Sequence, residues 1–219
     1  MDSADGVPDP LDPEAAKELP EANEIIEGLW VGSADAGTEA TVGPNSRQIA
    51  YVLNVGGCVT PVIFAALARA IAEEGYPEDA DEDDQELSSG GRSRGHTYTH
   101  NGVETLALPM DDYGRTPLTE DLLSRLLGFI EHGLQARKNV LVHCRLGVNR
   151  SVTVACAFLV RRRGFSVEEA LQLLGAKRPG ARPNEAYCAQ LYAMERGEVA
   201  EPSAESEEDW DVAAMQSPA

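Results

Sequence analysis

The stretch Val140-Leu141-Val142-His143-Cys144-Arg145-Leu146-Gly147-Val148-Asn149-Arg150-Ser151 constrains this chain more than any other. Its first residues form a short apolar, β-branched run, as a strand buried on both faces requires. The run stops at a histidine and a cysteine, turns through Gly147, and re-emerges at Arg150-Ser151 into a long apolar segment compatible with a helix. A strand, a tight loop and a helix N-terminus in succession leave backbone N–H groups without intrahelical partners and aim a helix dipole at the loop. Such a place binds anions. It also restricts the fold, because a fully buried strand feeding into a helix belongs in an α/β sheet whose ligands sit at the carboxyl ends of the strands.

The rest of the chain fits that frame. Ile25 to Gly32 reads as a first strand, Gly43-Pro44-Asn45 as a turn, and Ala50 to Gly57 as a β-rich run ending at glycines. Residues 61–74 read as a helix with Pro61 at its first position. Strand-like sequence resumes over Val103 to Met110, followed by the polar loop Asp111-Asp112-Tyr113-Gly114. Thr116-Pro117-Leu118-Thr119-Glu120 supplies a helix start, and Leu122, Leu123, Leu126, Leu127, Phe129, Ile130 and Leu134 continue at helical spacing. After a strand over Asn139 to Val142, a helix is expected over Val152 to Val160. It closes at Arg161-Arg162-Arg163-Gly164, where cations suit the dipole and glycine suits the stop. Ser166-Val167-Glu168-Glu169 opens a helix to about Ala176, and Pro183 to Glu195 forms a last one. The expected fold is therefore α/β, a central, mostly parallel sheet flanked by helices.

Residues 1–22 and 198–219 are acidic, poor in large apolar side chains and expected to be disordered tails. They flank one domain over residues 23–197, interrupted by an insertion at about 61–101 that contains an acidic loop from Gly75 to Gly95. With 37 acidic against 18 basic residues and a net charge of −19, the surface as a whole repels nucleic-acid backbones and anionic membranes. The four cysteines lack CxxC spacing, and no signal peptide or bilayer-length apolar run is present, so an intracellular chain with reduced thiols, cytoplasmic or nuclear, is expected. The glycosylation pattern at Asn149-Arg150-Ser151 is then coincidental.

In this loop Cys144 sits where a thiol ionises readily, and the thiolate is the nucleophile. The N–H groups of Arg145, Leu146, Gly147, Val148, Asn149 and Arg150 can form a nest for a tetrahedral oxyanion. The Arg150 guanidinium matches two phosphate oxygens. These features favour in-line attack of sulfur on a phosphate monoester, with a phosphocysteine that water then hydrolyses and no metal or other cofactor. The leaving oxygen needs a proton from a separate loop, and Asp111 and Asp112 are the acidic pair after a strand on the same sheet edge. Ser151 can donate a hydrogen bond to the sulfur. His143 is expected to orient the loop and to help lower the thiol pKa. The pattern His-Cys-x-x-Gly-x-x-Arg-Ser arises by chance at about one position in a million.

At these residues the chain resembles the cysteine-dependent protein tyrosine phosphatases, specifically the dual-specificity branch. Glu27 to Ser33 looks like that family's opening strand and Tyr51-Val52-Leu53-Asn54-Val55 like its second. Arg178-Pro179, Arg182-Pro183-Asn184 and Gln190-Leu191 are similar to its C-terminal helical pattern. The resemblance covers about residues 24–196. It implies a monomeric phosphatase acting on phosphotyrosine and phosphoserine/threonine in proteins, with Cys144 as nucleophile, Arg150 as phosphate clamp, Ser151 as sulfur partner and Asp112 as general acid, Asp111 being the fallback. It also raises a protective disulfide between Cys58 and Cys144. Cys156 and Cys188 read as core residues. Asn149 stands where most such enzymes carry serine and is similar to the related RNA 5′-triphosphatases, so an enzyme acting on a non-protein phosphate, RNA ends or phosphoinositides, is one rival; for the lipids the loop adds only Arg145 in positive charge. A phosphoprotein-binding module without turnover is another, and Cys144, Arg150, Ser151 and an acid argue against it.

Overall fold

The computed structural model describes residues 21–57 and 96–198. The tails up to residue 20 and from 199, the helix expected over 61–74, the acidic loop and Cys58 lie outside the described residues.

Five helices and six strands alternate in the described chain: β1 (Ala22–Ile26), β2 (Leu29–Gly32), α1 (Ala34–Val42), β3 (Ile49–Asn54), β4 (His96–His100), β5 (Val103–Ala107), α2 (Glu120–Gln135), β6 (Asn139–His143), α3 (Arg150–Arg163), α4 (Val167–Lys177) and α5 (Glu185–Glu195). The strands form one sheet in the order β1-β2-β6-β3-β5-β4. The four central strands are parallel, and β1 and β4 add antiparallel edges. The sheet is thus mixed, with the mostly parallel centre that the sequence implies.

Register decides where the chemistry sits. Gly32 pairs with His143, His143 with Asn54, and Asn54 with Ala107, so the carboxyl ends of the four parallel strands finish in one row. β6 lies at the middle of that row, which explains its composition: Val140, Leu141, Val142 and His143 are all buried. One face of the sheet is covered by a large core that includes Leu126, Ile130, Val154, Phe158, Leu174 and Leu191 from α2 to α5. The other carries a smaller cluster in which Ala36 and Ala40 of α1 meet Val52 and Leu141. Helix α3 runs buried from Arg150 to Leu159 with apolar residues all round, as a helix enclosed between the sheet and α2, α4 and α5 must be.

Local signals account for most boundaries. Thr119 accepts from the Leu122 N–H and caps α2, so the start is set by Thr119 and not Thr116. Ser166 and Glu169 form a reciprocal capping box on α4. Gly164 ends α3 in the left-handed conformation (φ 75°).

Three expectations change. The run Ile25 to Gly32 is not one strand but a hairpin, because Gly28 turns it at φ 78°. Helix α1 and strand β4 were not legible. With β4 paired along β5, from His96↔Ala107 to His100↔Val103, the sheet resumes at residue 96, inside the span expected as an insertion. The first strand also begins three residues earlier than Ile25, with Ala22 buried opposite Gly32.

Candidate active site

Beyond the end of β6 the chain makes a loop whose carbonyls all point away from its centre. Ala34 N–H donates to the Arg145 carbonyl (3.1 Å), Arg178 to those of Leu146 (3.1 Å) and Gly147 (2.7 Å), Arg182 N–H to that of Val148 (2.9 Å), and Thr153 N–H to that of Asn149 (2.9 Å). Each peptide unit is planar and trans, so a carbonyl held outward turns the next N–H inward. The N–H groups of residues 146 to 150 are thereby aimed at one point, an anion nest built by its surroundings. Gly147 is required there: its φ is +71°, and a Cβ would lie 2.5 Å from the Gly32 carbonyl carbon and 2.7 Å from Arg178 Nη2. Gly56 likewise lets the loop after β3 pass close to Cys144, where a Cβ would meet the Cys144 Cα at 2.9 Å.

Cys144 sits in this nest, buried, with its Sγ 3.3 Å from Ser151 Oγ. Burial opposes its ionisation and is the largest single influence. The Ser151 hydroxyl, the backbone N–H groups of Ser151 and Gly147 and the charge of Arg150 together outweigh it and hold the thiol below its ordinary value. Cys156, also buried but without such donors, is pushed up to about 12 by its burial. Cys188 is only half-buried and so is not the core residue expected.

Arg150 opens α3 and reaches across the nest. Its Nη1 donates to the carbonyls of Gly56 (3.0 Å) and Met110 (3.3 Å), which fixes the guanidinium plane. Its Nε lies 3.0 Å from Asp112 Oδ1, off the N–H direction, so the contact is a charge pairing and the buried Nε–H keeps no hydrogen-bond partner. Its charge reaches Cys144 and helps to lower the thiol.

The structure separates the two aspartates. Asp111 turns its Oδ1 back to accept from the N–H groups of Tyr113 (2.8 Å) and Arg115 (3.0 Å), and so braces its own loop. Asp112 faces the nest, with a half-exposed carboxylate beside Arg150 and Asn149.

His143 is buried, its Nδ1 3.4 Å from the Cys144 carbonyl and its ring packed against Gly37 of α1. Burial pushes its pKa from 6.5 down to about 4, so the ring is neutral. It orients the loop, but it brings no positive charge to Cys144, and the expected help in lowering the thiol is corrected accordingly.

Sequence patterns noted without a role turn out to hold the site. Arg178 is buried beneath the loop and is also bound to Asn23 Oδ1 (2.7 Å). Tyr187 donates from its hydroxyl to the Asp111 carbonyl (2.5 Å). Gln190 donates to the Gly114 carbonyl (2.9 Å) and accepts from Leu118 N–H (2.8 Å). These α5 contacts clamp the loop that bears Asp112. Gln190, a partly buried polar residue beside the buried Tyr187, Leu191 and Met194 of α5, was the available signal.

The structure thus brings a buried cysteine, a nest of N–H groups, a guanidinium and a carboxylate to one place, a candidate site for a phosphate ester. The family model for the dual specificity phosphatase catalytic domain matches residues 82–197, more than half of the chain, and this chain belongs to that family of protein phosphatases. It is 27% identical over 184 residues to dual specificity protein phosphatase 1B of Arabidopsis thaliana, covering 84% of this chain and 85% of that protein. Dual specificity phosphatase 28 of Mus musculus is 36% identical over 98 residues, 43% of this chain and 58% of its own length. The crystal structure of human DUSP28 superposes with a TM-score of 0.55 at 25% identity, over 81% of this chain and 95% of that one.

Proposed function

We propose that the chain hydrolyses phosphotyrosine and phosphoserine/threonine in proteins through a phosphocysteine on Cys144. The observation that supports this most is the Cys144 thiol held below its ordinary value inside a nest that also presents the Arg150 fork. The phosphoryl oxygens are received by the inward N–H groups and Arg150, the sulfur attacks phosphorus, and the P–O bond to the leaving oxygen breaks as Asp112 gives that oxygen its proton. Water then attacks the phosphocysteine with Asp112 taking a proton back, and Ser151 stabilises the departing thiolate. Tyr113 and Leu146, both exposed beside the site, offer apolar surface to an aromatic or aliphatic phosphate ester.

The test is turnover of p-nitrophenyl phosphate, of phosphotyrosine and phosphothreonine peptides and of 5′-triphosphorylated RNA by wild type and Cys144→Ser. Turnover of the aryl phosphate and the peptides, lost in Cys144→Ser, is expected. Turnover of RNA ends alone, or of none of these, contradicts the reading.

A further inference from the structure

Asn149 occupies the N-cap position of α3, where an asparagine ordinarily turns its side-chain oxygen onto the N–H groups of the first turn. Here it makes no side-chain cap. A capping side chain would compete for the Ser151 N–H, which here serves the Cys144 sulfur, so the departure leaves that donor to the thiol. The carboxamide is instead spent on two other segments. Its Oδ1 accepts from the Asn184 N–H (2.9 Å), while its Nδ2 donates to both the main-chain carbonyl (2.8 Å) and the Oδ1 (3.1 Å) of Asp112. Exchanging the two amide ends would oppose oxygen to oxygen and N–H to N–H, so the orientation is set by the network. Asn184 Nδ2 donates to the same Asp112 carbonyl (2.9 Å).

We propose that Asn149 is the positioning residue for the proton donor: one carboxamide ties the nucleophile loop, the Asp112 loop and the segment ahead of α5 into a fixed spacing. This rests on the phosphatase reading above. Among the described residues, the Asp112 carboxylate is met by the side chains of Arg150 and Asn149. When a phosphoryl group engages the Arg150 fork, Asn149 remains as the link. Because its N–H occupies Asp112 Oδ1, the other carboxyl oxygen is left to carry the proton and to deliver it to the leaving oxygen. The asparagine that suggested RNA ends thus has a task inside the protein.

The experiment compares kcat/KM for phenyl phosphate, whose leaving group needs a proton, with that for dinitrophenyl phosphate, whose leaving group does not. Asn149→Ala is expected to lose about 10-fold on phenyl phosphate, a fraction of what general acid catalysis supplies, and less than about 2-fold on dinitrophenyl phosphate. In an Asp112→Ala background it is expected to change neither. The pH profile of Cys144 alkylation should stay at the wild-type position. Should Asn149→Ala fail to fold, the uncharged Asn149→Leu keeps the size of the side chain but gives Asp112 no donor, and is expected to show the same selective loss. Equal losses on both esters, a loss additive with Asp112→Ala, a shifted alkylation profile or no loss on phenyl phosphate would each overturn the proposal. Absence of turnover in the wild type would instead sink the phosphatase reading.

Discussion

Cys144 and Cys156 are both buried, yet one thiol is held low and the other is pushed up to about 12. Burial alone therefore predicts an inert cysteine, and the hydrogen bonds decide the outcome. A hydrogen bond to a charged group contributes about 1.5–3 kcal/mol, and about 1.4 kcal/mol corresponds to one pKa unit. Ser151→Ala is therefore expected to move the alkylation profile of Cys144 upward by about one unit or more, because the thiolate is the reacting form and loses a donor. An unchanged profile would remove Ser151 from the account. His143 gives a second test. Its folded pKa of about 4 lies below the ordinary 6.5, so its contribution to stability is present above 6.5 and is lost as pH falls through about 4. The difference amounts to about 3 kcal/mol. Thermal unfolding of His143→Gln should lose less stability than wild type between those pH values. The cysteine, the arginine and the serine that the structure brings together were readable from one motif. The neutral state of His143 was not, since it depends on α1 packing Gly37 against the ring.

At the scale of elements, the site is held by contacts that arrive from far along the chain. Arg178 reaches the nucleophile loop from beyond α4, and α5 clamps the loop with Asp112. Arg178→Met is expected to destabilise the fold by about 3 kcal/mol or more, since two charge-assisted bonds to loop carbonyls are lost, and to lower turnover on every ester alike. Ser166→Ala, which removes one half of the α4 capping box, should cost about 1 kcal/mol in urea unfolding and leave turnover intact. Helices α2 to α5 were legible because long apolar periodicity and caps agree. The short α1 has only Ala, Gly and Thr on its buried face and so shows no apolar stripe. Strand β4, His-Thr-Tyr-Thr-His, is an exposed edge whose alternation carries one aromatic. The residues alone left Asp111 and Asp112 as a pair, and only the family resemblance preferred Asp112, because their separation depends on which carboxylate turns back onto its own loop.

At the scale of the whole molecule, a chain of net charge −19 turns Arg150 and Arg178 inward around one loop, so the site differs from the surface average. Bulk charge thus spoke about what the surface repels and not about what the nest accepts. A chain trimmed to residues 21–198 retains every described core and site residue and is expected to keep the fold and its turnover of small aryl phosphates. A loss of turnover on trimming would assign the tails a part in the site. The most direct measurement is the mass of the protein acid-quenched within milliseconds of mixing with p-nitrophenyl phosphate. One added phosphoryl group on the Cys144 peptide, more abundant in Ser151→Ala and absent in Cys144→Ser, is the predicted result. Turnover without that adduct, or turnover that persists in Cys144→Ser, would contradict it.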